Sequence, residues 1–302
     1  MLMAEFICLL CGIGGEHKLI SQSLRDDDSE RFQVMKCLNC GHVQLSPVPS
    51  EGDQRDFYKQ DLQSRKQSGT PDMDLWKRKT LIDTTRHVNW VVEKAPAGAS
   101  VLDIGSGFGF FVDSLHNEGY FSTGLEVGNE RFELAKHNLQ GTFIKGTVNK
   151  GFVKNNKQKY QIVTLFHVLE HVENPIEFIN QCFELVSSDG WFLVEVPNLN
   201  DNLLNESIEY RKFYWQRAHI SYFDAPRLEM VFLKAGIEDF MIKGVQRYGI
   251  RNLISWLDNG KPQLEDPQFI ETSPILLDIE EIYRSQRELS LTCDTLILEA
   301  KK

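Results

Sequence analysis

The chain has 302 residues, of which 41% are hydrophobic and 25% are charged, a composition typical of a globular protein of about two domains. Its formal net charge of −10 disfavours nucleic acid as a partner, because proteins that bind duplexes neutralise phosphates with Lys and Arg. The sequence contains no apolar run near the ~18 residues that a membrane-spanning helix needs. The start, MLMAEFICLLCG, lacks the basic region of a signal peptide, so we expect a cytoplasmic protein.

Two CxxC pairs lie near the start of the chain. They are Cys8 with Cys11 and Cys37 with Cys40, and a glycine follows the second cysteine of each pair. Such pairs in a chain without a signal peptide favour a metal over disulfides. Four thiolates suit tetrahedral Zn²⁺ and leave no coordination position open, so the spacing predicts a structural zinc ribbon over residues 1–45.

The segment after this module, residues 46–72, is rich in Ser, Pro, Gly, Gln and charged residues and is predicted to be a linker. Two histidines near the cysteine pairs, His17 and His42, are not needed as ligands and are interpreted as surface side chains. The remaining cysteines, Cys182 and Cys293, have apolar sequence neighbours and are predicted to lie in the core.

Residues 73–302 alternate between helical and strand patterns. A helix is predicted from Asp74 to Glu93, where apolar residues recur at helical spacing, and another is predicted through Phe183 and Val186. Short apolar runs between such patterns predict a parallel sheet that is covered by helices on both faces. The predicted strands are residues 101–105, 121–127, 142–146, 160–168, 190–197, 240–245 and 295–300.

A glycine-rich stretch, VLDIGSGFGFFVDSL (101–115), joins the first of these strands to a predicted helix. Its glycines are Gly105, Gly107 and Gly109. A glycine turn at this place lets the backbone approach a ligand closely, and it directs the N-terminal amides of the helix at anionic groups. The stretch therefore predicts a cofactor site.

The spacing within this stretch distinguishes between two kinds of cofactor. A dinucleotide fingerprint GxGxxG counted from Gly105 needs glycine or alanine at position 110, where this chain has Phe110. The pattern present is D-x-G-x-G-x-G, starting at Asp103. Glu126 ends the next predicted strand, where its carboxylate can accept hydrogen bonds from both hydroxyls of a ribose.

These residues resemble the class I S-adenosylmethionine-dependent methyltransferases, and the resemblance covers residues 75–302. The glycine loop is followed in the family's order by FHVLEHVENP (166–175), by GWFLVEVPN (190–198), and by a final antiparallel strand pair that ends in TLILEA. The resemblance implies an α/β fold with a Rossmann-like seven-stranded sheet, here preceded by a small zinc ribbon. It also implies S-adenosylmethionine as the cofactor. The expected domains are the zinc ribbon at 1–45, the linker at 46–72 and the methyltransferase domain at 73–302.

The resemblance also implies which residues bind the cofactor. Asp103 and the first glycines border its methionine end, Glu126 holds its ribose, and Thr147 falls near its adenine, where the family often has an acidic residue. The full set of cofactor-binding residues is Asp103, Gly105, Ser106, Gly107, Gly109, Glu126, Val127, Thr147, Phe166 and His167.

Methyl transfer from a sulfonium is an in-line displacement, so the enzyme has to position the acceptor and remove its proton. His219 is the predicted general base. It lies in RAHISYFDAPRLEMVFLKAGI (217–237), which resembles a segment of methyltransferases that act on sugars. In the sugar C-methyltransferases a glutamate precedes this histidine, whereas this chain has Ala218. Tyr222 and Tyr58 are predicted substrate contacts.

A second catalytic cluster is predicted at Glu170 and His171. In metal-dependent relatives a similar pair binds Mg²⁺ or Mn²⁺, and the same pair also occurs at the start of a helix in enzymes without a metal. Both interpretations remain open at the level of sequence, with His171 as a catalytic candidate.

A four-cysteine module before a methyltransferase domain resembles the nucleotide-sugar methyltransferases. We therefore predict methyl transfer to an oxygen or carbon of a sugar or sugar phosphate, as in an activated sugar or surface-glycan precursor, with the insertion at 248–291 providing substrate contacts. Three alternatives are open. They are an RNA methyltransferase that docks RNA with the ribbon, a quinone-pathway O-methyltransferase with a divalent metal at Glu170 and His171, and a binding module without catalysis.

Overall fold

The computed structural model describes residues 6–25, 27, 31–50, 52–54, 72–263 and 273–302. The predicted substrate contact Tyr58 lies outside these residues. Within the described parts the strands form two sheets, one of four strands and one of seven. No helix in these parts is both long enough and apolar enough to cross a membrane.

The small sheet joins the N-terminal module to a later part of the chain. Its strands are antiparallel, in the order β1 (His17–Ser21), β2 (Gln33–Cys37), β3 (Val43–Ser46) and β9 (Ser221–Tyr222). In the last pair, Gln44 lies opposite Ser221. The module and the segment that contains His219 therefore share one sheet.

The large sheet confirms the predicted Rossmann-like methyltransferase fold. Its strands are β4 (Ser100–Ile104), β5 (Phe121–Glu126), β6 (Thr142–Lys145), β7 (Tyr160–Phe166), β8 (Val186–Pro197), β10 (Phe240–Val245) and β11 (Thr295–Lys301). They lie in the order β10-β11-β8-β7-β4-β5-β6; β4 to β8 are parallel, and β11 is antiparallel to both of its neighbours.

The helices begin where the sequence provides caps. Asp72 accepts a hydrogen bond from the Leu75 amide at the start of the first helix, whose bounds agree with the prediction. The helices are α1 (Met73–Lys94), α2 (Phe110–Asn117), α3 (Asn129–Asn138), α4 (Lys150–Asn155), α5 (Pro175–Glu184), α6 (Leu203–Glu206), α7 (Ile208–Tyr214), α8 (Ala225–Lys234), α9 (Ile250–Asn259) and α10 (Pro274–Leu289). The prediction that Val186 is helical is wrong, because α5 ends at Glu184 and Val186 pairs with Tyr160 as the first residue of β8.

The central strands are buried on both faces, as the continuous apolar runs predicted. Ile162 and Leu193 pack with side chains of α1 and α2, whereas the adjacent residues Val163 and Val194 pack with side chains of α5 and α8. The second of these layers also contains Leu10 of the N-terminal module. The module is thus part of the main core, and its first cysteine pair packs against the layer that contains α5 and α8.

Candidate active site

The glycine loop follows β4 in left-handed backbone conformations that favour glycine. Gly105 has φ +77°, and a Cβ atom there would lie 2.5 Å from Val168, so a side chain does not fit. Gly107 has φ +56°, and a Cβ atom there would meet nothing within 4 Å. The backbone at Gly107 is therefore open on the side where a ligand can approach.

Glu126 holds this loop from the end of β5. The amide of Gly107 donates to its Oε2 at 2.8 Å, and the amide of Gly128 donates to its Oε1 at 2.6 Å. Both oxygens of the Glu126 carboxylate therefore hold backbone amides on either side of the loop. Val127 and Thr147 lie on the surface beside it, where the amide of Gly146 donates to the Glu126 carbonyl at 2.9 Å.

A cavity of about 300 Å³ opens in front of the glycine loop. The predicted cofactor residues that line it are Asp103, Gly105, Ser106, Gly107, Gly109, Phe166 and His167. The opposite wall was not predicted from the sequence; it consists of Trp76, Thr80, Asp83, Thr84 and His87 from α1 together with Arg131 and Arg247. The glycine motif predicts the floor of the cavity because its residues are close together in the sequence. The wall has no such motif, because it depends on how α1 packs over the sheet.

Asp103 is buried beneath the loop, and the hydroxyl of Thr164 donates to it at 2.7 Å. Burial, with a smaller contribution from the charge of Glu126, raises the pKa of Asp103 to about 7. A positively charged group near Asp103 would favour its ionised form. The carboxyl is therefore suited to the cationic end of a ligand.

His167 stands between the cavity and two carboxylates. Its φ is +56°, uncommon for a residue with a side chain. Its Nε2 lies 2.9 Å from Glu195 Oε1, and its Nδ1 lies 3.4 Å from Glu170 Oε1. Although burial and the charge of Arg247 oppose protonation, these two carboxylates raise the pKa of His167 to about 9.

Glu195 fixes His167 from within β8 and has no exposed surface. Arg86 donates two hydrogen bonds to its carboxylate, at 2.6 and 2.8 Å, and His87 Nε2 lies 3.1 Å from Oε2. Bidentate pairs of this kind are strong and directional. The signal in the sequence is a single charge inside the apolar run FLVEVP, which otherwise predicts only a strand.

Glu170, His171 and His219 form one cluster beyond His167, with one ligand atom of each within 4.8 Å of the others. Nε2 of each histidine lies 4.0 Å from Glu170 Oε1. His171 Nδ1 lies 2.7 Å from the carbonyl of Ala218, to which it donates, so the lone pair of its Nε2 faces the cluster. Burial lowers the pKa of His219 well below its usual value, so that its ring is neutral.

A carboxylate from another part of the chain lies near His219. Position 218 is alanine, and the carboxylate near the His219 ring comes from Glu170 instead. Tyr222 lies on the other side, buried, with its hydroxyl donating to the carbonyl of Gln216 at 3.1 Å and accepting from its amide at 3.0 Å. In this geometry Tyr222 braces the loop that contains His219.

The four predicted zinc ligands converge. Sγ of Cys8 lies 3.6 Å from that of Cys40, and Sγ of Cys11 lies 3.8 Å from that of Cys37. A tetrahedron with Zn–S bonds of ~2.3 Å has S–S edges of about 3.8 Å, so the donors fit this ion. The thiols are not in disulfides.

The prediction that His42 is a surface residue is wrong. It has no exposed surface, and its Nε2 lies 3.2 Å from the hydroxyl of Ser221 in β9. It is buried because β9, which is distant in sequence, covers the end of the second cysteine pair. His17, in contrast, is exposed as predicted.

Helix α8 contacts both turns that contain the cysteine pairs. Lys234 donates to the carbonyl of Leu10 at 2.8 Å, and the guanidinium of Arg227 lies against Gly41. From the module, the amide of Leu45 donates to the carbonyl of Ile220 at 2.8 Å. The module is thus attached to the segment that positions His219.

Comparisons with known proteins agree with this geometry. The model of the methyltransferase domain family matches residues 77–240. A ubiquinone biosynthesis O-methyltransferase of Vibrio campbellii is 36% identical over 120 residues, covering 37% of this chain and 51% of the relative. The counterpart in Vibrio cholerae is 37% identical over 120 residues, covering 37% of this chain and 49% of the relative. The chain spans about half the length of these curated relatives.

Solved structures resemble the chain in fold. A SAM-dependent methyltransferase from Archaeoglobus fulgidus has a TM-score of 0.52 and 16% identity, covering 76% of this chain and 100% of that chain. Magnesium protoporphyrin IX methyltransferase from Synechocystis PCC 6803, with bound SAH, has a TM-score of 0.52 and 14% identity, covering 84% of this chain and 100% of that chain. At these identities the likeness concerns the fold alone.

Proposed function

Because the chain belongs to the methyltransferase domain family, we propose that it transfers a methyl group from S-adenosylmethionine to a hydroxyl group of a small-molecule acceptor. The observation that carries the proposal is the adjacency of two sites. The glycine-loop cavity and the Glu170–His171–His219 cluster meet at His167, which lines the cavity and lies 3.4 Å from Glu170. One site suits the cofactor and the other suits the acceptor.

The residues of the cavity fit S-adenosylmethionine. The open backbone at Gly107 and the buried carboxyl of Asp103 match a close ligand and a cationic end, respectively. The carboxylate of Glu126, which holds the Gly107 amide, is the proposed partner of the ribose. When bound, this cofactor supplies a methyl group on a positively charged sulfur, which needs little further activation. The protein then has to align the acceptor oxygen and take its proton.

His219 can take that proton because its ring is neutral, and Glu170 can stabilise the resulting charge. The same cluster also fits a divalent metal, which Glu170, His171 and His219 would hold. A bound metal would lower the pKa of the acceptor hydroxyl. Two imidazoles and one carboxylate suit Zn²⁺, Mn²⁺ or Fe²⁺ better than Mg²⁺.

Two classes of acceptor follow from different observations. The segment around His219 and the N-terminal module support a sugar or sugar phosphate. The metal-binding geometry of the cluster and the ubiquinone biosynthesis relatives support a ring hydroxyl of a quinone-type precursor. The cluster favours the second class, because a quinone-pathway O-methyltransferase was expected from the sequence to bind a divalent metal at Glu170 and His171. In either case the four cysteines hold a structural Zn²⁺ that takes no part in the chemistry.

Label transfer tests these proposals. Zinc-loaded protein is incubated with methyl-labelled S-adenosylmethionine and, separately, 3,4-dihydroxybenzoate, a mixture of UDP- and dTDP-sugars, and total RNA, each with Mn²⁺ and without it. Label in the catechol that increases with Mn²⁺ supports the second class, and label in the sugars supports the first. Label in RNA alone contradicts both classes. Cofactor binding without label in any fraction would make the chain a binding module.

A further inference from the structure

Helix α10 presents an apolar stripe to solvent along its whole length. None of the residues of this helix is buried. The apolar residues of the stripe are between 41% and 86% exposed, and they are Ile275, Ile279, Ile282 and Leu289. An amphipathic helix of a globular protein normally turns its apolar side to the core. Single exposed apolar residues are common, whereas a continuous apolar stripe marks an interaction site.

The polar side of α10 attaches the helix to its own domain. Glu280 accepts a hydrogen bond from the amide of Ile250 at 2.8 Å, and Glu288 accepts one from the amide of Gln246 at 2.8 Å. Arg284 donates to the carbonyl of Gln246. Because the charged side chains face the domain, the apolar stripe faces outwards and is available to a partner.

The spacing of the stripe is that of a helix that pairs with another helix. From Ile275 to Leu289 its positions follow one another at intervals of four, three, four and three residues, which is the alternation of a coiled-coil seam. The fourth position is Gln286, and a single polar residue within such a seam restricts the register and the number of paired helices. The seam is self-complementary, because each of its side chains fits between four side chains of an identical helix.

The charges beside the seam favour an antiparallel second copy of the chain. The exposed charged residues of α10 are Asp278 and Glu281, both in its first half, whereas the exposed residues of its second half are the uncharged Ile282, Ser285, Gln286 and Leu289. An antiparallel copy places the acidic half of each helix against the uncharged half of the other, while a parallel copy brings like charges together. The two arginines of α10 are half-buried against the domain, so the seam offers no exposed cation to an anionic membrane surface.

We propose that α10 pairs in antiparallel orientation with α10 of a second copy of this chain, through the seam of Ile275, Ile279, Ile282, Gln286 and Leu289. A seam of about two heptads is short, so the expected dimer is a reversible one. The pairing uses none of the residues of the candidate active site, so it stands or falls independently of the proposed function.

Sedimentation velocity over about a hundredfold range of protein concentration measures this pairing. We expect the wild-type protein to shift from monomer to dimer as the concentration rises. Ile282→Asp should weaken the dimer at least about 100-fold, because it replaces an apolar seam residue with a charge in both copies. Val92→Asp is the matched control, since Val92 is also β-branched and helical and is 51% exposed, against 56% for Ile282.

A second variant, Gln286→Leu, predicts a gain that loss of folding cannot produce. It places an apolar side chain at the polar position of the seam, so it should tighten the dimer at least about tenfold. A wild-type protein that stays monomeric at every concentration would overturn the proposal. So would a dimer that Ile282→Asp and Val92→Asp weaken equally, or one that Gln286→Leu leaves unchanged. A monomeric wild type that binds vesicles of phosphatidylcholine and phosphatidylglycerol, with binding lost in Ile282→Asp, would assign the seam to a lipid surface instead.

Discussion

Within the described residues, two clusters of side chains could hold a metal ion, and they differ in origin and in environment. The four cysteines come from two short turns, consist of one donor type and form a closed tetrahedron. Glu170, His171 and His219 combine nitrogen and oxygen donors from distant parts of the chain and lie next to a cavity. A closed set of four thiolates suits a structural metal, whereas a mixed set beside a cavity leaves coordination positions open for a ligand.

The two clusters are connected through strand β9. The amide of Ile220 donates to the carbonyl of Glu170 at 2.7 Å, while the carbonyl of Ile220 accepts from Leu45 of the module. Beside them, His42 contacts Ser221. The closed cluster thus stabilises the segment that completes the open one, so that damage to the first should impair the second.

The largest effect is expected when the four-cysteine cluster loses one of its thiols. Cys37→Ser should abolish zinc retention, because structural zinc contributes ~10–16 kcal/mol to such modules, and methyl transfer should fall at least ~100-fold as β3 releases β9. Metal content by mass spectrometry, limited proteolysis and label transfer measure the three effects. Cys293→Ser is the control, since this buried thiol lies outside the cluster. A zinc-free variant with normal transfer would show that the two clusters are independent.

The next effect comes from the open cluster. His219→Ala and Glu170→Gln should each lower kcat by about 10² to 10⁴, the usual contribution of a general base, while cofactor affinity stays within about twofold. Kinetics at saturating cofactor and calorimetric titration separate these quantities. His137→Ala serves as a control on an exposed helix surface. Loss of Mn²⁺ stimulation in both variants would identify the cluster as a metal site, and unchanged kcat would remove it from the mechanism.

A smaller effect is expected at the glycine loop. Glu126→Gln removes a charged acceptor that holds the Gly107 and Gly128 amides, and hydrogen bonds to charged groups contribute ~1.5–3 kcal/mol. Cofactor affinity should therefore fall about 10- to 150-fold, with kcat at saturation little changed. Calorimetric titration of S-adenosylmethionine measures this, with the exposed Glu133→Gln as control. Equal affinity in Glu126→Gln and wild type would mean that the ribose binds elsewhere.

The difference between the clusters also explains what could be predicted from the sequence. The cysteine pairs, the glycine loop and Glu126 could be picked out as candidates because their residues are close in sequence or end adjacent strands. The strands were predictable because apolar runs determine burial locally. The helical prediction at Val186 failed because its pairing with Tyr160 in the sheet outweighed local periodicity.

The remaining features depend on tertiary packing. His42 is buried by a strand from a distant segment, and Glu195 is charged only because Arg86, His87 and His167 surround it. Neither environment can be recognised from a local pattern in the sequence. In the same way, no spacing rule in the sequence could indicate that Glu170 lies near His219. The domain boundaries at residues 45 and 72 stay predictions.

The smallest expected effect is a pH dependence that belongs to the glycine loop and not to the clusters. Burial raises the pKa of Asp103 from 3.8 to about 7, so in the free protein this carboxyl is largely protonated at pH 5 and 6. A cationic ligand favours the ionised form, so binding at low pH has to release a proton. Affinity for S-adenosylmethionine should therefore rise up to about tenfold per pH unit between pH 5 and 7 and level off above. Calorimetry in buffers of different ionisation enthalpy detects the released proton.

Asp103→Asn provides the control for this pH dependence, since the amide does not titrate. Its affinity should be lower at pH 8 and should lose the slope between pH 5 and 7. The folding stability of the free protein depends on pH in the opposite direction. Because folding raises the pKa of the Asp103 carboxyl, this group contributes stability that is fully present below the unfolded pKa of 3.8 and is lost as pH rises through about 7. Without cofactor, Asp103→Asn should therefore gain thermal stability relative to wild type between pH 5 and pH 8. A slope between pH 5 and 7 that persists in Asp103→Asn would assign the titration to a group other than Asp103.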